Sequence, residues 1–357
     1  MALSPEVGTR PPADLDGTPG APQQHLLMLL GGKMISAAIC VLARVGVADH
    51  LAHGPRTVEE LAAATETNAP MLYRFLRAAA SVGVFAEQAD GRFALTPTAE
   101  YLRSDVPGTI RYLAYLYGEE SVWNCFGSAV DTLRTGEPAG PKLRGGKGWF
   151  QYMEESPEYA EVFHRAMTGV SNRASEVATS YDFSGFSSVA DIGGGQGRLL
   201  AAILASSPGA RGVLFDIASA IGGAAPVLEQ HGVADRVECV VGDFFESVPS
   251  GLDAYVLKAI LHDWNDEDCR RILGNIRAAL GDHAEGRILI VEAVVPDLND
   301  WHFSKAMDIA MAVSLGGKER NLHEWRALLA SAGFELAGVS RTAPPHWVIE
   351  GRPSELP

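Results

Sequence analysis

The run Val189-Ala190-Asp191-Ile192-Gly193-Gly194-Gly195-Gln196-Gly197-Arg198-Leu199-Leu200 limits the fold of this chain more than any other feature. It reads as a short buried strand, a turn made of glycines, and the first turn of a helix. Glycine accepts backbone angles that other residues avoid and carries no side chain, so a ligand can lie against the main chain of such a turn. A dinucleotide fingerprint is spaced G-x-G-x-x-G, and counted from Gly193 its last glycine falls on Arg198. The spacing present is D-x-G-x-G-x-G, so the dinucleotide pattern fails. Taken alone, the run also fits a plain strand-to-helix connection, so the rest of the chain decides.

From Val189 onward, short apolar runs alternate with helical patterns. The strand runs are Gly212–Phe215, Val237–Val241, Ala254–Lys258, Arg287–Glu292, and a last pair near Glu335–Val339 and Trp347–Glu350. That alternation predicts a mostly parallel sheet covered by helices on both faces. In open sheets of this kind ligands sit at the carboxyl ends of the strands, where the topology switches.

The chain before that run has a different character. Met1 to Gln24 is rich in Pro, Gly and polar residues and reads as a mobile tail without a secretory signal. The apolar stretch Leu26 to Val47 is interrupted by Gly31, Gly32, Lys33 and Arg44, and its periodicity fits a buried or dimer-forming helix rather than a membrane span. Thr57 and Glu60 have capping-box spacing, a second helix runs from about Ala69 to Val82, and Gln88-Ala89-Asp90-Gly91 is a turn between two short strands. Helix, helix, hairpin is a winged-helix pattern. Such a unit can read DNA, but its second helix offers only Arg74 and Arg77, in a chain with 29 Lys+Arg against 44 Asp+Glu and a formal charge of −15. The expectation is a packing or dimerisation unit, with no nucleic acid expected as a partner. Cys40, Cys125, Cys239 and Cys269 stand singly, which points away from zinc or a disulfide framework and toward a reducing cytoplasm. Between Tyr101 and about Ser180 the chain is helical, with a loop from Gly136 to Gly148.

The chemistry gathers at strand ends. Asp216 ends its strand about nineteen residues beyond Gly197, where a carboxylate can accept from ribose hydroxyls or, alternatively, cap the next helix. Asp243 and Phe244 end the next strand, placed to meet an adenine amino group and ring face; the plainer reading is a turn Asp beside core aromatics. If the chain passes into helix near Lys258, then Lys258 and His262 are four apart and share a face over the cleft. A histidine there can take a proton from a weak acid near neutral pH, and Glu292 and Glu319 are carboxylates that could fix its tautomer.

With these residues in order, the chain resembles the S-adenosylmethionine (SAM)-dependent O-methyltransferases that act on small aromatic molecules, the plant caffeate-type and bacterial antibiotic-tailoring group. The resemblance runs through the winged-helix region, Phe163-His164-Arg165-Ala166-Met167, the D-x-G-x-G-x-G turn, His262-Asp263-Trp264 and Gly316-Gly317-Lys318-Glu319-Arg320. It implies a Rossmann-like α/β domain with a mostly parallel seven-stranded sheet over residues 181–357. It also implies a winged-helix dimerisation domain over 25–105, following the 1–24 tail, and a helical linker over 106–180. In that family the residue matching His262 is the general base, flanked by those matching Glu292 and Glu319. Gly193, Gly195, Asp216, Asp243, Phe244 and Lys258 match the cofactor contacts. Met167, Asp263, Asp308 and Met311 match the substrate side, and Trp123 and Trp149 are further apolar candidates.

The implied activity is methylation of a phenolic or enolic hydroxyl on a small secondary-metabolite aromatic by a cytoplasmic homodimer. SAM becomes S-adenosylhomocysteine, with no metal and no membrane. Asp216-Ile217-Ala218 replaces the family's frequent Asp-Leu-Pro, and Ser314 stands where plant members usually have Asn. The alternatives are a SAM-binding relative that methylates carbon or catalyses a rearrangement or hydroxylation, and a winged-helix regulator.

Overall fold

A computed structural model describes residues 21–171, 174–342 and 345–354. The chain forms two compact units. One contains residues 129–139 and the chain from 174 onward, and the other contains the described residues up to 128 together with 140–171.

In the N-terminal unit the first helix is Ala21–Arg44, so residues 21–24, read as tail, are helical, and the remainder of the expected tail lies outside the described residues. Pro22–Arg44 is the one stretch among the described residues long and apolar enough to cross a membrane by length and composition. Leu26, Leu27, Met28, Leu29, Leu30 and Met34 on it are more than half exposed. The helix Val58–Ala64 starts on a reciprocal capping box between Thr57 and Glu60, and Asn68 caps Ala69–Ala80. Strands β1 (Phe85–Glu87) and β2 (Phe93–Leu95) pair antiparallel around the expected turn. Leu42, Leu61, Leu76, Phe85 and Phe93 make the core of this helix–helix–hairpin region.

The other unit is built on seven strands. These are β3 (Ser188–Ile192), β4 (Arg211–Asp216), β5 (Val237–Val241), β6 (Ala254–Lys258), β7 (Arg287–Ala293), β8 (Phe334–Arg341) and β9 (His346–Pro353). Their order is β5-β4-β3-β6-β7-β9-β8; β9 runs antiparallel to β7 and β8, and the other pairs are parallel. Side chains alternate between two cores. Val189, Val256 and Leu289 face one, and Ala190, Tyr255 and Ile290 face the other. Burial on both faces is why these strands read as nearly unbroken apolar runs.

The chain leaves β3 toward β4 on one side, while β6 lies on the other. The order therefore reverses between β3 and β6, the place where an open α/β sheet opens a crevice at its carboxyl edge.

Candidate active site

Two groups of residues meet at that edge. The first is the glycine turn after β3. Gly193 has φ +68°, and a Cβ there would lie 2.5 Å from Ile260 Cδ1, so both conformation and space call for glycine. A Cβ on Gly195 would meet nothing within 4 Å, which leaves the turn open above it. The Gly195 amide donates to Asp216 Oδ2 at 2.8 Å, and the Ile217 amide donates to Oδ1 at 2.7 Å. Asp216 thus ties the β3 turn to the end of β4 and does not cap the helix Ala218–Ile221, whose start has no side-chain cap. Asp243 is exposed and accepts from the Phe245 amide at 2.8 Å, a turn geometry. Phe244 reaches the Gly193 position and packs edge-on to Phe245 and Trp264.

The sequence reading gave no role to Asp191, yet this buried carboxyl packs beneath Gly194. Burial pushes it up to about 7, against the pull of the Leu200 amide and Lys258. Burial lowers Lys258 in turn, opposed by Asp191 and Glu292.

The second group surrounds His262. The expected helix from Lys258 does not form: Lys258 ends β6, Ala259 takes a left-handed φ of +52°, and His262 sits in the single 3-10 turn Leu261–Asp263. An alanine with positive φ is strained and persists only where its surroundings impose it. Here the Ala259 amide donates to Val291 O at 3.1 Å, and the Ile260 and His262 amides donate to Glu292 Oε1 at 3.0 and 3.3 Å. Glu292, buried at the end of β7, shapes the turn that presents the histidine.

His262 Nδ1 lies 2.8 Å from Glu319 Oε1. A carboxylate only accepts, so Nδ1 carries the proton and Nε2 is the nitrogen left for other chemistry. Nε2 is 3.5 Å from Asp263 Oδ1, and Nδ1 is 3.9 Å from Glu292 Oε2. Glu319 is itself held by its amide, which donates to Asp308 Oδ1 at 2.9 Å, and its buried Oε2 has no hydrogen-bond partner. Burial works against a charged imidazole, but Glu292, Asp263 and the Glu319 hydrogen bond outweigh it and hold His262 up at about 10. Burial pushes Glu292 up to about 7 and Asp263 up to about 6, each against the lowering pull of His262. One donor atom each from His262, Glu292 and Glu319 lies within 4.8 Å of the others, a spacing that could also hold a metal ion.

The structure therefore brings together His262, Asp263, Glu292, Asp308 and Glu319, and separately Gly193, Gly195, Asp216 and Phe244. Met311 is half-buried, one turn beyond Asp308 on the helix Phe303–Ser314. Met167 is half-buried on Pro157–Ser171, in the other unit. Trp149, offered above as a cavity residue, belongs to the interior of its own unit, only 8% exposed and packed on Tyr159 and Phe163. Arg320 was part of a quoted motif without a role; it proves fully buried against the histidine turn.

Residues 130–335 match the O-methyltransferase domain model, and residues 27–105 match the O-methyltransferase dimerisation domain model. The chain belongs to the O-methyltransferase family. It is 42% identical over 329 residues to a phenazine O-methyltransferase, PhzM, of Lysobacter antibioticus, covering 92% of this chain and 95% of that one. It is 37% identical to the 8-amino-8-demethylriboflavin N,N-dimethyltransferase of Streptomyces davaonensis, over 89% of this chain and 92% of the relative. The S-adenosylhomocysteine-bound structure of CalO1, a methyltransferase of calicheamicin biosynthesis, superposes with a TM-score of 0.83 at 37% identity, covering 95% of this chain and all of the other. The chain is a SAM-dependent methyltransferase.

Proposed function

We propose that this enzyme methylates a hydroxyl of a flat aromatic secondary metabolite, with His262 as general base and Glu319 and Glu292 as the groups that orient it. The observation that carries the reading is the 2.8 Å Nδ1–Glu319 hydrogen bond, which fixes the tautomer and turns Nε2 into the proton acceptor. The glycine turn fits the cofactor, being open above Gly195 and backed by Asp216, with Phe244 alongside. Gly193, Gly195, Asp216, Asp243, Phe244 and Lys258 would hold it.

When bound, SAM supplies a methyl group on a cationic sulfur that departs as a neutral thioether. The chain's own task is to align an oxygen nucleophile and take its proton. Alignment supplies roughly 7 to 11 kcal/mol, and general-base catalysis about a hundred- to ten-thousand-fold. Proton transfer runs from the acceptor hydroxyl to Nε2, and the imidazolium so formed faces Glu319, Glu292 and Asp263. Asp308 and Met311 serve the acceptor side. The proton transfer needs no metal, so a chelator should leave the rate unchanged.

Carboxylates that stabilise the imidazolium also keep the base protonated. With His262 held at about 10, the rate climbs as pH rises above neutral. His262→Ala is expected to cost about a hundredfold or more at saturating SAM, with hydroxyphenazines as probe acceptors and product mass and S-adenosylhomocysteine as readouts. Full activity in that variant would overturn the base assignment.

A second reading, N-methylation, is favoured by the dimethyltransferase relative, because a neutral amine needs less help from a base. Transfer to 8-amino-8-demethylriboflavin but not to hydroxyphenazines, insensitive to His262→Ala, would select it.

The exposed apolar side chains of Ala21–Arg44 and the matched dimerisation domain support a homodimer, with the 25–105 region as its interface, 106–180 as linker and 181–357 as catalytic domain. Light scattering at micromolar concentration should give twice the chain mass, and a monomer would exclude it.

A further inference from the structure

Three consecutive residues grip the turn that carries His262. The Lys318 amide donates to His262 O at 2.9 Å, the Glu319 carboxylate takes Nδ1–H, and the Arg320 guanidinium spans the turn from end to end. Arg320 Nη1 donates to Leu261 O at 3.0 Å, and Nη2 donates to Trp264 O at 3.1 Å. The same side chain, fully buried, also donates to Lys318 O and, through Nε and Nη2, to Asp266 Oδ1 at 2.9 and 2.7 Å, and it lies over the Trp325 ring. Its main chain pairs with the extension of β7, the Val295 amide donating to Arg320 O at 3.0 Å. Gly317 makes the approach possible. A Cβ there would stand 2.1 Å from His262 O and 2.6 Å from Asp263 C, both backbone atoms.

We propose that Arg320 and Gly317 are positioning residues for the proton-accepting histidine: Gly317 lets the 318–320 segment lie against the 261–264 turn, and Arg320 locks it there so that Glu319 meets Nδ1. Arginine suits the task because one rigid fork reaches three carbonyls and a carboxylate together. Lysine keeps the charge but offers a single flexible point of attachment. Buried carbonyls released from Arg320 must find other donors, so the turn shifts and His262 moves relative to Glu319, Glu292 and Asp263, the charged groups that face it. Displacements of about 1 Å cost about a hundredfold in rate.

This inference rests on the reading of His262 as the base, so its test must not depend on turnover alone. The protein saturated with S-adenosylhomocysteine is titrated by NMR of imidazole-labelled histidine, with His262→Ala giving the assignment, for the wild type, Gly317→Ala, Arg320→Lys and Asp266→Asn. The expected result is that Gly317→Ala and Arg320→Lys keep S-adenosylhomocysteine affinity within about threefold while the His262 pKa moves down by at least about one unit toward its free value. The rate with hydroxyphenazines should fall by about ten- to a hundredfold, with its rising limb displaced to lower pH.

If Arg320→Lys does not fold, Gly317→Ala and Asp266→Asn, whose altered side chain is half exposed, carry the test, the latter with a smaller shift of the same sign. An unchanged His262 titration and tautomer in the folded variants would overturn the proposal. Full activity of His262→Ala would instead remove the base reading and leave the NMR result to judge the clamp.

Discussion

Strand β6 has buried or half-buried carboxylates at each end, one at the amino end and several at the carboxyl end, and the two ends are used in opposite ways. At its amino end Asp253 accepts from the Ser187 amide at 2.8 Å, the Ser187 hydroxyl at 2.6 Å, the Ser188 amide at 3.0 Å and His283 Nε2 at 3.1 Å. Burial works against the charge there, but these donors outweigh it and bring Asp253 down to about 2. At its carboxyl end Glu292 and Asp263 are more deeply buried, have fewer donors and sit with Glu319 around one imidazole, and burial carries them up to about 7 and 6. A carboxylate saturated with donors is a fastener. One held short of donors stays within reach of a proton at neutral pH, which stability alone would not select.

The largest expected effect separates these uses. Glu319→Gln keeps the shape but removes the charge that fixes Nδ1–H, and should lower the maximal rate by about a hundredfold while moving its rising limb to lower pH. Asp253→Ala leaves two amides and a hydroxyl without their acceptor and should cost about 1–3 kcal/mol in denaturant unfolding, with the rate unchanged. If Asp253→Ala damaged turnover as much as Glu319→Gln, the two ends would not be functionally distinct.

The same contrast holds for glycines on either side of the segment joining β3 to β4. Gly193→Ala at the carboxyl edge forces a methyl to within 2.5 Å of Ile260 Cδ1 at a φ of +68°. Calorimetry should show S-adenosylhomocysteine affinity down about tenfold, or about 1.4 kcal/mol, within the 1–3 kcal/mol such strain costs. Gly209, before β4, has open space around it and no positive φ, so Gly209→Ala should change stability by less than about 0.5 kcal/mol and affinity not at all.

How legible these features were follows from what fixes them. Strands β5 and β6 fall on the expected residues because a short apolar run bounded by turns leaves little choice. The β8–β9 pair is longer at both ends than its apolar runs, because antiparallel pairing extends through polar residues such as Arg341 and Arg352. The His262 turn could not be read locally. Alanine at 259 favours helix, and only amides donating to Glu292 and Val291, from a strand some thirty residues away, force it left-handed. Gly317 and Arg320 were visible as a motif, but their work on the 261–264 turn is a tertiary relation with no local pattern.

The smallest effect is a slope. Glu292 is raised from 4.5 to about 7, so between those values the folded protein binds more protons than the unfolded chain, and stability falls as pH rises. His262, raised from 6.5 to about 10, extends the same sign upward: its contribution is complete below 6.5 and lost as pH rises through about 10. Asp253 has the reverse sign, its contribution being present above 3.8 and lost as pH falls through about 2. Between pH 5 and 7 the carboxyl-end cluster, together with Asp191, which is raised to about 7 and adds with the same sign, should set the trend, at no more than about 1.4 kcal/mol per pH unit for each proton involved. Glu292→Gln removes one titrating group and should flatten the stability profile over that interval, measured as unfolding free energy at half-unit steps. Asp253→Asn should leave that interval unchanged and flatten the profile only below pH 4. If both substitutions altered the same window, the two ends of β6 would be titrating as one system and the division between them would fail.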